Sequence, residues 1–158
     1  MEITTTTSPG RVETDTVRKD INSDVYATGH EVEVTDADGN VTTDRSTHWQ
    51  DPRTGTTLRD KEEHTVTFAH DSPDGRHAAG SMETTWHETE GDLETKGTIV
   101  VGPGGDTAKT AKTTDASGKV TTVTTTTNEE GNGTRRTTVE AGSGTLLSDT
   151  SEPVGGEG

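Results

Sequence analysis

The sequence predicts an all-β protein, an antiparallel meander of about eight to ten strands joined by tight turns. Three observations carry that expectation. Thr alone accounts for 36 of the 158 residues, Val is the commonest apolar residue, and helix formers such as Leu and Met are scarce. No segment sustains a 3.6-residue apolar period. Short alternating runs are punctuated instead by Gly, Asp, Asn and Pro clusters, which supply the positive φ or preset φ that tight turns require.

Along the chain, Glu2-Ile3-Thr4-Thr5-Thr6-Thr7-Ser8 has high β propensity and stops at Pro9-Gly10. It reads as an N-terminal tail or as a donor-like strand with Ile3 as its apolar anchor. Asp36-Ala37-Asp38-Gly39-Asn40 marks the first clear hairpin. With Asp38-Gly39 as a two-residue turn, Val34 faces Thr43, Val32 faces Arg45, and Val41 and Trp49 share their face. Asp71-Ser72-Pro73-Asp74-Gly75 marks the second. A three-residue loop there sets Phe68 opposite Met82 and His64 opposite Trp86. Val32, Val34, Val41, Trp49, Val66, Phe68, Met82 and Trp86 are then the expected core.

Further turns follow at Gly102-Pro103-Gly104-Gly105-Asp106, Asp115-Ala116-Ser117-Gly118-Lys119, Asn128–Gly133 and Gly142-Ser143-Gly144. Thr35–Thr43 repeats as Thr114–Thr122 at seven of nine positions, which reads as one hairpin turn used twice. The chain changes character near Gly102: all four aromatic residues and all six His precede it. The expected organisation is a tail or donor-like strand over 1–10 and a better-packed β region over 11–101. Polar Thr/Gly-rich hairpins follow over 102–150, and a disordered tail over 151–158, so both termini are expected to be flexible. An open twisted sheet, a thin sandwich and a flattened barrel all satisfy this pattern.

Composition narrows function. The net charge is −15, with 29 acidic against 14 basic residues. Such a surface repels phosphate, which argues against nucleic acid as a partner. The longest purely apolar run is Ile99-Val100-Val101, too short to span a membrane. Met1-Glu2-Ile3-Thr4 begins with an acid and no apolar stretch, so no secretory signal peptide is expected. Composition alone favours an extracellular, cell-surface or virion setting. The absence of Cys removes disulfides, thiol catalysis and Cys-type metal sites.

Candidate chemistry is sparse. The six His (His30, His48, His64, His70, His77, His87) show no His-x-His or His-x-x-x-His spacing, so no metal site and no cofactor is expected. The Asp36–Asn40 cluster opens like a calcium loop, but its twelfth position is Thr47 and no helices flank it. No Gly-x-Ser-x-Gly elbow occurs. The expected function is therefore non-enzymatic: a structural or surface protein of filament, fibre or matrix type. It would act by self-assembly or partner binding at sheet edges, as a homo-oligomer or with another protein. The alternatives are a recognition module that binds carbohydrate or ice through Trp and Thr faces, and an acidic, largely disordered chain. Candidate assembly or binding residues are Ile3, Thr4, Thr5, Thr6, Trp49 and Trp86.

Overall fold

The computed structural model describes residues 1–155. It forms eleven strands: β1 (Glu2–Ser8), β2 (Arg11–Lys19), β3 (Val25–Thr35), β4 (Val41–Gln50), β5 (Thr57–Thr67), β6 (Met82–Glu90), β7 (Leu93–Val101), β8 (Thr107–Thr114), β9 (Val120–Thr127), β10 (Gly133–Glu140) and β11 (Leu146–Val154). They make one antiparallel sheet in chain order, β1 to β11, and each strand packs on its sequence neighbours. β1 and β11 are free edges, so the sheet is open and neither a sandwich nor a barrel. The strand expected as a donor, β1, is paired with β2 of its own chain. The expected tail 151–158 lies partly outside the described residues; within them, Ser151–Val154 continue β11 and pair with β10.

One turn recurs. In Asp36–Asn40, the Asp36 N–H donates to Asn40 O, and Gly39 N–H donates to Asp36 O. The same two bonds close Gly102–Asp106, Asp115–Lys119, Asn128–Asn132 and Ala141–Thr145. The fourth residue is Gly every time, with φ between +81° and +98°. This is the three-residue hairpin loop that ends in a left-handed glycine, a conformation a side chain would strain. From Gly102 onward the geometry is periodic. Strands of eight residues alternate with five-residue turns, which places Gly105, Gly118, Gly131 and Gly144 every thirteen residues.

Loop length corrects both expected registers by one residue. Val34 lies opposite Thr42 and Val32 opposite Asp44, because the Asp36 turn holds three central residues and not two. Val41 and Trp49 therefore occupy the face opposite Val32 and Val34. In the second hairpin Thr67, and not Phe68, lies opposite Met82. Phe68 opens a fourteen-residue loop (68–81) whose N–H donates to Ser81 O, and its ring stacks on His77 at 4.7 Å. Phe68 and Met82 thus lie on opposite faces.

Among the described residues no second layer covers either face, and the expected core is absent. Among the described residues only Ala27 (2% exposed) and Ser81 (3%) are fully buried, and Val34 is exposed. Stability must come from backbone ladders and cross-strand pairs. Thr hydroxyls bond across strands at Thr65–Thr84 (2.9 Å), Thr95–Thr113 (3.0 Å) and Thr107–Thr127. Trp86 lies over Gly97, where a Cβ would sit 2.1 Å from the ring. Gly97 is therefore the seat of that indole.

Candidate functional site

Register assigns each candidate to a face. Trp49, Trp86, Ile3 and Thr5 project to one side; Thr4, Thr6, His30, His48, His64 and His87 project to the other. Ile3, Thr4, Thr5 and Thr6 all lie on the β1 edge, exposed, with Ile3 at 56%. Glu2 is the only charge on that strand, and Lys19 Nζ holds it at 2.7 Å. That hydrogen bond and the ammonium charge lower the Glu2 pKa. β1 carries neither proline nor bulge.

The opposite edge is guarded. β11 contains Pro153, Asp149 and Glu152, and its register with β10 slips between Val139 and Glu140. Arg136 binds Asp149 through two nitrogens (2.9 and 2.6 Å), and Arg135 reaches Glu152 at 3.3 Å. Proline, charge and bulge are devices that discourage strand addition. The two edges are chemically unlike.

The tryptophans do not form one platform. From the register, Trp49 and Trp86 stand two strands and two side-chain rows apart, roughly 16 Å. Each is half-buried and capped by a cation: Arg59 lies 4.5 Å from the Trp49 ring and Lys109 5.4 Å from the Trp86 ring. Glu88 holds Arg59 at 2.7 Å, and that hydrogen bond raises the guanidinium pKa.

The histidines show what the sequence reading did not find. Asp15 faces His30, Asp44 faces His64 and Asp60 faces His48 directly across adjacent strands. Their Nδ1 atoms meet the carboxylates at 2.7, 2.5 and 2.6 Å respectively. His87 approaches Glu94 at 3.4 Å, and His77 approaches Glu83 at 3.0 Å. Two open clefts, of about 560 and 510 Å³, lie on this surface and share His30, Ser46, Glu62 and His87 in their lining. Ser46 stands opposite His30, yet among the described residues no hydrogen bond joins its hydroxyl to that ring. The motif is a row of imidazoles, three of them held through Nδ1 by carboxylates. Sequence spacing could not show it, because the Asp–His partnerships cross β2–β3 and β4–β5, pairings whose register no turn motif in the sequence marks. His70 lies beyond β5 in the 68–81 loop.

No protein-family model, curated protein or solved structure matches the chain. The geometry is therefore the whole basis for a functional reading.

Proposed function

We propose that the chain is a non-enzymatic structural or surface protein that works by edge-to-edge strand addition, with β1 as the joining edge and a second copy as its partner. The observation that carries this reading is the contrast between an unguarded β1 and a guarded β11 on a sheet with no second layer. Such a sheet gains backbone bonds from a neighbour without having to uncover a core.

Strand parity bears on the symmetry of the joint. Eleven alternating strands leave β1 and β11 pointing the same way. A copy added by translation would set β11 beside β1 in parallel. A two-fold axis normal to the sheet gives an antiparallel β1–β1 joint and keeps each face on its own side. Centred on Thr5, that joint pairs Thr4 with Thr6, Ile3 with Thr7 and Glu2 with Ser8, with no like charges opposed.

The test is mass in solution, by light scattering behind size exclusion, for the wild type, for Thr5→Lys and for Thr150→Lys. Thr5→Lys would place two ammonium groups face to face at the axis and should give monomer with an unchanged β spectrum. Thr150→Lys, on the β11 edge, should leave the assembly intact. A monomeric wild type, or disruption by Thr150→Lys alone, would refute the β1 assignment.

A further inference from the structure

The His-bearing face holds one mixed-donor constellation that strand assembly does not use. Glu13 and Asp15 lie on β2, and His30 on β3 directly opposite Asp15. One ligand atom from each of the three lies within 4.8 Å of the other two. We propose that Glu13 and His30 bind a first-row divalent transition ion of the Zn²⁺ type, with Asp15 as the positioning residue.

Each contact has a defined part. Asp15 Oδ1 lies 2.7 Å from His30 Nδ1, so the ring donates its Nδ1–H to the carboxylate and presents Nε2 as a lone pair. A carboxylate behind the imidazole is the usual support of a metal-binding histidine, because it fixes both tautomer and ring plane. Nε2 then stands 3.6 Å from Glu13 Oε1. That exceeds a hydrogen bond. It is close to the roughly 3.4 Å between two ligands held about 2.1 Å from a tetrahedral ion. Arg11 Nη2 holds the other Glu13 oxygen, Oε2, at 3.0 Å and leaves Oε1 for the ion.

The surroundings suit an ion with water in its remaining positions. Asp15 and His30, though not Glu13, also line the cleft of about 510 Å³, together with His48, Asp60, Lys61 and Glu62. The side chains of Glu13, Asp15 and His30 are 35%, 57% and 44% exposed, so water can complete the coordination of an ion held there. Two carboxylates against one guanidinium leave the triad with net negative charge, which favours a cation. Imidazole in the donor set favours Zn²⁺, Ni²⁺ or Cu²⁺ over Ca²⁺ or Mg²⁺. With only two protein ligands and an exposed setting, binding should be weak and rapidly reversible.

The experiment titrates zinc chloride into the full-length protein and follows amide and imidazole NMR resonances. Shifts should centre on Glu13, Asp15 and His30. His30→Ala and Glu13→Gln should each weaken binding at least tenfold while retaining the β spectrum. Asp15→Ala should weaken it about 10- to 100-fold, Asp15→Asn less, and the ¹⁵N pattern of His30 should lose its Nδ1–H signature in Asp15→Ala. Three results would overturn the proposal: no shifts at saturating zinc, unchanged affinity in His30→Ala, or shifts centred on His48, His64, His87 or the N-terminal amine.

Discussion

Strands β2–β7 and β8–β11 build the same meander by different means. In the first region strands run from nine to eleven residues, and their connections from the two-residue Gly91-Asp92 turn to the fourteen-residue 68–81 loop. Register there is marked by individual partnerships: Asp15–His30, Asp44–His64, Arg59 over Trp49, and Trp86 over Gly97. In the second region the eight-residue strands β8, β9 and β10 alternate with five-residue turns at a thirteen-residue period, and β11 follows with nine residues. Between β8 and β9, Thr pairs such as Thr107–Thr127 and Thr110–Thr124 (3.4 Å) replace the specific contacts. A sheet without a core must fix register some other way. One region uses unlike side chains that fit only one partner; the other uses uniform lengths and one turn.

The largest expected effect tests the repetitive region. Gly133 opens β10, and a Cβ there would lie 1.7 Å from the Thr126 carbonyl oxygen on β9. Backbone cannot yield as a side-chain tip can. Gly133→Ala should therefore cost about 2–3 kcal/mol, read as a lower denaturant midpoint. Gly97→Ala is the counterpart in the specific region, where the obstacle is the Trp86 indole. The ring can swing away at the loss of its seat, so about 1–2 kcal/mol is expected. A larger loss at Gly97 than at Gly133 would mean that the indole contact holds more of the sheet than the ladder does.

Amide exchange sharpens the same comparison. In verified monomer, amides of Val120–Thr127 and Gly133–Glu140 should exchange faster than those of Val41–Gln50 and Thr57–Thr67. Fewer cross-strand side-chain contacts restrain local opening in the former pair. Slower exchange in the repeats would show that uniform turns protect a ladder better than ion pairs do.

The strand pattern was legible because β-branched runs and Gly/Asp/Asn turns are local signals. Register and facing were not. The Asp36 turn was one residue longer than a two-residue reading allows, since the Asp36 carboxylate accepts from both Asp38 N and Asn40 N (2.9 Å each). That one residue exchanged the faces of Val41 and Trp49. The His–Asp partnerships cross β2–β3 and β4–β5, whose connections carry no comparable turn signal to fix a register. The thirteen-residue period was available in Gly105, Gly118, Gly131 and Gly144. It is masked because the side chains between the glycines vary, and the Thr35 and Thr114 echo, 79 residues apart, lies outside it. The absence of a core follows from composition, since Leu, Ile, Val and Phe make up only 21 of the 158 residues.

The smallest effect concerns the turn both regions share, and it separates charge from geometry. Asp36 and Asp115 open two copies of the turn, and each carboxylate accepts the N–H groups of the third and fifth turn residues. Their pKa values are lowered, at Asp36 first by the Asn40 side chain and at Asp115 first by the Ser117 hydroxyl. A carboxyl group with a depressed folded-state pKa adds stability that is present above its ordinary value of 3.8. That stability fades as pH falls through the folded value. Asn128 opens a third copy and accepts the same two N–H groups, from Glu130 and Asn132 (3.0 Å each), without a charge. Asp36→Asn should therefore keep the turn and give a melting temperature that depends less on pH below about 4. Asp36→Ala should lower the melting temperature at neutral pH and match the wild type more closely in acid, where the wild-type carboxylate is also lost. Asn128→Ala should lower it equally at both pH values. Equal acid dependence in Asp36→Asn and the wild type would place the acid sensitivity elsewhere.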